Sequence, residues 1–137
     1  LEIEISEGVI AEDEESAMTT LRQISEVGVQ IALDDFGIGF TSLNYLRQFP
    51  IQRVKIDRSF ITKLTKQKET QIIVRTLARL GASFGVVTTA EGVETQEQFE
   101  LVRAEGYTEM QGFFFSPPKT AEQIRALFQP NSDSAVA

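Results

Sequence analysis

Seven polar residues stand where short apolar runs of this chain end: Glu4, Asp34, Asp35, Lys55, Glu91, Glu94 and Gln111. Four of them, Glu4, Asp34, Asp35 and Glu91, are carboxylates that would repel one another in a common cavity, and unpaired burial would push their pKa values up. A divalent cation removes that cost, and an all-oxygen donor set suits Mg²⁺, Mn²⁺ or Ca²⁺ rather than zinc. Adjacent aspartates face opposite sides of a regular strand. Asp34 and Asp35 therefore reach one pocket only if the backbone turns or bulges there, and Phe36-Gly37-Ile38-Gly39 is suited to that. The plainer reading is a pair of solvated acids at a strand end.

Lys55, between Val54 and Ile56, is placed either to hold an attacking water or an anionic oxygen in a cavity mouth, or to snorkel from an edge strand. Asp57 fits a partner for Arg58, a partner for Lys55, or a cap on the following turn. Glu91 and Glu94 bracket a loop at a helix start; one suits a metal and the other a helix dipole or a loop anchor, and the sequence does not say which. Gln111, beside Gly112, suits a hydrogen bond to a ligand or to backbone. The row Phe113-Phe114-Phe115 reads as core, and only a ring close to the mouth could stack on a nucleobase.

Histidine and cysteine are both absent from the 137 residues. That removes the usual general base, the usual zinc ligands and any disulfide framework. Chemistry is left to carboxylates, lysine, hydroxyls and backbone. A formal charge of -7 argues against an electrostatic grip on a DNA or RNA polymer, and an anionic substrate would need a metal ion to screen the acids. With 42% hydrophobic and 24% charged residues, the composition is that of one globular domain. No apolar run is long enough to span a bilayer, and no basic region precedes an apolar stretch at the N-terminus. The domain is accordingly expected in the cytoplasm, with anchoring of a longer parent left open. The chain starts in a strand without methionine, which reads as a piece of a longer protein.

The elements that must position these residues alternate. Leu1 to Ile5, Val29 to Phe36, Arg53 to Asp57, Phe84 to Thr89 and Gln111 to Phe115 read as strands. Between them fall a helix capped by Asp13 and stopped at Gly28, and a short one ending at Pro50. A third runs from about Thr70 to Leu80 with Ile73, Leu77 and Leu80 on one face and Gly81 closing it. Another opens at Thr95 and stops near Gly106. A last helix starts at Thr120 and runs to Phe128, and residues 129–137 read as a disordered tail. Five strands separated by helices imply an α/β fold with a parallel sheet and right-handed crossovers. Periodicity fits either an open doubly wound sheet or part of a closed (β/α)₈ barrel. Polar residues at the end of nearly every strand favour the barrel, whose strand ends converge on one mouth. A complete barrel needs about 250 residues, so this chain is expected to form a partial TIM-type barrel.

Five segments occur in order: Glu4-Ile5-Ser6-Glu7, Asp34 through Leu43 (DDFGIGFTSL), Lys55-Ile56-Asp57-Arg58-Ser59-Phe60, Ala90-Glu91-Gly92-Val93-Glu94-Thr95 and Gln111 through Pro118 (QGFFFSPP). Together they resemble the C-terminal part of the EAL domain family, bacterial phosphodiesterases of cyclic di-GMP, over residues 1 to about 128. The resemblance implies hydrolysis of cyclic di-GMP to pGpG with two Mg²⁺ or Mn²⁺ ions. It also implies that Glu4 and Asp34 are metal ligands, that Asp35 serves the second metal, and that Lys55 positions the attacking water. Glu91 would act at the metal centre directly or through water, Glu94 would anchor the loop after Asp35, and Gln111 would contact substrate or water.

The family's namesake glutamate and an asparagine ligand lie upstream of the matched region, so the fragment alone is expected to turn over little or no substrate. Its open strand edges suggest a homo-oligomer or association with the missing half of the domain. The alternative is a non-catalytic cyclic di-GMP receptor or scaffold. A phosphoacceptor receiver domain is disfavoured, because Lys55 lies on the very next strand with no aspartate-bearing strand between.

Overall fold

A computed structural model describes residues 1–38 and 43–128. The turn expected at Gly39, the motif residues Phe40, Thr41 and Ser42, and the tail 129–137 lie outside the described residues. Five strands form one parallel sheet in chain order: β1 (Glu2–Ser6), β2 (Gln30–Phe36), β3 (Arg53–Ile56), β4 (Val87–Glu91) and β5 (Glu109–Gln111). An order with no reversal has no switch point, which a doubly wound sheet requires. It is the winding of a barrel wall, and the chain forms part of a TIM-type (β/α)₈ barrel.

The helices are α1 (Glu7–Glu12), α2 (Glu14–Glu26), α3 (Leu43–Gln48), α4 (Arg58–Lys63), α5 (Lys68–Phe84), α6 (Gln96–Ala104) and α7 (Ala121–Leu127). Their starts follow capping chemistry visible in the sequence. Asp13 accepts from the Ser16 N–H at 3.0 Å, and Thr95 and Thr120 each form a full capping box, with Gln98 and Gln123. The Asp57 carboxylate accepts from the Ser59 N–H at 2.8 Å, so of the roles open to it Asp57 takes the cap.

In-register parallel partners point their side chains to the same side, so the pairings sort the sheet into two faces. On one, Ile31, Leu33, Val54, Ile56 and Ala90 are fully buried with Ile10, Ile61, Val74 and Val102. The other face carries the polar residues, beginning with Glu4 beside Ala32 and Lys55 beside Thr89.

Several expected boundaries move. Gly81 does not close α5 but lies inside it, because a Cβ there would come within 2.2 Å of Thr88 Cγ2: bare backbone lets the helix sit directly on β4. The helix stops instead at Gly85, φ +69. Phe84 is therefore helical, and β4 begins at Val87 rather than at Phe84. The buried stripe of α5 is Thr70, Val74, Ala78 and Gly81; Leu77 and Leu80 flank it, and Ile73 is exposed. β5 ends at Gln111, where Gly112 at φ +157 turns the chain, so the three phenylalanines do not form a core strand. Phe114 stacks on Phe99, Phe115 meets both edge-on, and Phe113 is exposed. α1 and α4, six residues each, are too short to show a period in sequence.

Gly81→Ala tests the α5–β4 contact. Overpacking against the stiff Thr88 side chain costs about 1–3 kcal/mol, and helix propensity returns about 1. The expected result is a net loss of up to about 2 kcal/mol in urea unfolding, largely recovered when Thr88→Ser removes the opposing methyl.

Candidate functional site

The polar face of the sheet is built in two tiers, each with a cation from β3 between acids from flanking strands. In the upper tier the Lys55 ammonium lies 2.7 Å from Glu4 Oε1 on β1, 2.6 Å from Glu91 Oε1 on β4, and 3.8 Å from Asp34 Oδ1 on β2. The lysine side chain is 8% exposed, against 49%, 31% and 21% for Glu4, Asp34 and Glu91. It is thus the covered centre of a cluster whose acids remain open to solvent. Glu4, Asp34 and Glu91 converge on one nitrogen from three different strands.

Burial alone would lower the pKa of Lys55. Its hydrogen bonds to Glu4 and Glu91, with the charges of Glu91 and Asp34, outweigh that and hold the ammonium above the ordinary lysine value. It stays protonated throughout the neutral range.

Asp34 and Asp35 reach this end of the sheet through a bulge. Leu33 pairs Val54 and Phe36 pairs Ile56, so two aspartates on β2 stand opposite the single residue Lys55 on β3. The bulge keeps Leu33 and Phe36 both in the apolar layer while turning the two acids out between them. Asp35 sits at φ +54, the single non-glycine residue at positive φ among the described residues, and its N–H donates to Asp34 Oδ1 at 3.0 Å. An aspartate tolerates this conformation better than most side chains. Desolvation at the strand end, then the charges of Asp34 and Asp57, push the Asp35 carboxyl up, and Lys55 pulls it back.

The lower tier escaped the sequence reading. Arg53 Nε is 2.8 Å from Glu2 Oε2, and the same guanidinium contacts Glu109 and donates to Thr89 Oγ1 at 3.2 Å. Thr89 Oγ1 in turn donates to Glu109 at 3.2 Å. The missed signal is a period of two: Glu2 with Glu4, Arg53 with Lys55, Glu109 with Gln111. Glu7 also received no role; its Oε1 is buried with no hydrogen-bond partner among the described residues.

Glu94 and Gln111 stand apart from the Lys55 cluster. Both are exposed and line a hollow with Glu91, Arg58 and Phe113. The Glu94 N–H donates to Gln98 Oε1 at 2.8 Å. The donor chemistry of Glu4, Asp34, Asp35 and Glu91 fits a hard divalent ion, since every donor is a carboxylate oxygen. No three acids among the described residues lie close enough to cage an ion unaided.

The EAL domain family profile matches residues 1–118, and the chain belongs to the EAL domain family. It is 38% identical over 124 residues to the bifunctional diguanylate cyclase/cyclic di-GMP phosphodiesterase MucR of Pseudomonas aeruginosa, a match covering 90% of this chain and 18% of that protein. Among solved structures, the MucR phosphodiesterase in complex with c-di-GMP superposes with a TM-score of 0.86 at 38% identity, over 90% of this chain and 50% of that one. A manganese/c-di-GMP complex of Klebsiella pneumoniae BlrP1 gives 0.79 at 30% identity, over 85% and 30%. The chain spans less than a fifth of the length of the curated relatives it matches first. Among the described residues, no helix is long and apolar enough to cross a membrane.

The raised Asp35 carboxyl carries a sign. A carboxyl whose folded pKa exceeds its unfolded value binds the proton more tightly in the fold, so its ionisation weakens the fold as pH rises through that range. Asp35→Asn, which also tolerates positive φ, is expected to be more stable than the parent at about pH 7 in metal-free buffer. The difference should vanish near pH 3, below the ordinary aspartate value. Urea midpoints at the two pH values check it.

Proposed function

We propose that residues 1–128 are the C-terminal part of a metal-dependent phosphodiesterase domain that hydrolyses cyclic di-GMP to linear pGpG in bacterial second-messenger signalling. The observation that carries this reading is the convergence of Glu4, Asp34 and Glu91 on the Lys55 ammonium. The related MucR is a cyclic di-GMP phosphodiesterase by name, and the BlrP1 structure holds manganese with the dinucleotide; both support it.

Glu4 and Asp34 would hold one Mg²⁺ or Mn²⁺, and Asp35 with Glu91 the second. Such ions, when bound, lower the pKa of water and neutralise the phosphodiester. The chain's own residues do the rest. Lys55 has three N–H donors. Glu4 and Glu91 take two, while Asp34 at 3.8 Å is beyond hydrogen-bond length. The third donor is therefore available to an attacking water or a phosphoryl oxygen, and the two short bonds fix its direction. The bulge at Asp34 and Asp35 brings both acids to the same end of the sheet. Gln111, paired with Glu91 across β4 and β5, is placed to contact substrate, and Glu94 to contact substrate or anchor the loop after Asp35. The domain would work in the cytoplasm, and the missing half of the barrel, or a second copy, would supply the remaining ligands.

Chromatography of nucleotides released by the intact protein tests this. Cyclic di-GMP should convert to pGpG with Mg²⁺ or Mn²⁺ and not in EDTA. Glu91→Gln should lower kcat by about a hundredfold or more, and residues 1–137 alone should give little or no product. Turnover in EDTA would overturn the metal-dependent reading, and tight binding without hydrolysis would make the domain a receptor.

A further inference from the structure

Parallel register gives each cation of β3 a choice of acids. Residues in register across the strands form a row and present their side chains on one face. One row carries Glu4, Ala32 and Arg53; another carries Lys55, Thr89 and Glu109. Pairing along the rows would join Glu4 to Arg53 and Glu109 to Lys55. The ion pairs that form cross the rows instead. Lys55 takes Glu4 and Glu91, at 2.7 and 2.6 Å, while Arg53 takes Glu109 and, at 2.8 Å, Glu2.

Glu109 is the acid whose choice matters to Lys55. The two residues stand two strands apart in one row, with the short Thr89 side chain between them. Arg53 closes that route. Its guanidinium reaches diagonally into the row, contacts Glu109 and donates to Thr89 Oγ1 at 3.2 Å. Thr89 Oγ1 donates in turn to Glu109 at 3.2 Å, so two groups hold this carboxylate. The arrangement needs a fork: Arg53 Nε serves Glu2 while Nη1 serves Glu109 and Thr89, a span that a single lysine nitrogen cannot cover.

We infer that Arg53 is a positioning residue for the reaction at Lys55: by engaging Glu2 and Glu109, it keeps Glu109 off the ammonium and leaves the third Lys55 N–H for a water or a phosphoryl oxygen. Without the guanidinium, Glu109 would be a carboxylate short of counter-charge in the same row as a covered ammonium. Coulomb attraction draws such a pair together, and the third donor would then be used up inside the protein. Arg53 makes none of the bonds to Lys55 itself; it acts through the acid it withholds. The role given to that donor rests on the cyclic di-GMP reading, whereas the choice of ionic partners does not.

Crystal structures of the intact protein grown in EDTA, as parent and as Arg53→Gln, test the pairing directly. In Arg53→Gln the Lys55 ammonium should come within hydrogen-bond distance of a Glu109 oxygen. Kinetics with Mg²⁺ read the consequence. Arg53→Gln should lower kcat for cyclic di-GMP by about ten- to a hundredfold, the strength of one charge-assisted hydrogen bond. Removing the competing acid as well separates positioning from a structural role. Arg53→Gln/Glu109→Gln should regain kcat to within about threefold of the parent, and Glu109→Gln alone should stay near it. A purely structural Arg53 would leave the double variant no faster than Arg53→Gln. The inference is overturned if Glu109 stays away from Lys55 in Arg53→Gln, or if the double variant remains as slow as the single one. Should Arg53→Gln fail to fold, the double variant decides: a loss of about tenfold or more overturns the inference. If the parent turns over no cyclic di-GMP, the substrate reading fails, and the two structures still decide the pairing.

Discussion

One covered ammonium holds the upper tier of the sheet's polar face together. Lys55 is the least exposed member of its cluster, yet it is the one carrying the charge that lets Glu4, Asp34 and Glu91 stand close to one another. Its hydrogen bonds to two of those acids, together with the charges of Glu91 and Asp34, more than offset the cost of covering it. A neutral side chain here would leave three carboxylates facing each other, and an unpartnered acid cluster opposes the fold that assembles it. The acids keep solvent on their outer sides, so the arrangement is a half-wet network worth little to stability. Its larger effect is to fix where the oxygens point.

The backbone makes this possible by spending one extra residue. Without the bulge at Asp34 and Asp35, either Leu33 or Phe36 would leave the apolar layer, and the aspartates would split between faces. The outlying φ of Asp35 belongs to the same adjustment. Local strain and exposed charge thus fall together at one strand end, the usual mark of a position kept for chemistry rather than for stability.

The parallel α/β architecture was legible because strand and helix periods alternate along the chain, and because acids or a lysine close most of the strands. Asp13, Thr95 and Thr120 announced their helices through capping chemistry that is local in sequence. What could not be read depended on contacts distant in sequence. Gly81 looked like a helix stop because nothing nearby reveals that Thr88 lies against it. The three phenylalanines looked like a strand because their hydrophobicity hides the turn at Gly112, which the backbone of Val93 imposes. The Lys55 acids were recognisable one by one, whereas the Arg53 tier is visible only once register sets Glu2, Arg53 and Glu109 side by side.

Both tiers draw their positive charge from the same element, and that has a bearing on assembly of the chain. Arg53 and Lys55 lie on β3, the middle strand of five, while the acids come from both sides of it. Until β3 docks, a nascent pairing of β1 with β2 stacks Glu2, Glu4 and Asp34 with no counter-charge. The rate-limiting nucleus is therefore expected to include the central hairpin-free ladder of β2 with β3, with the outer strands condensing onto a template that is already electrically balanced.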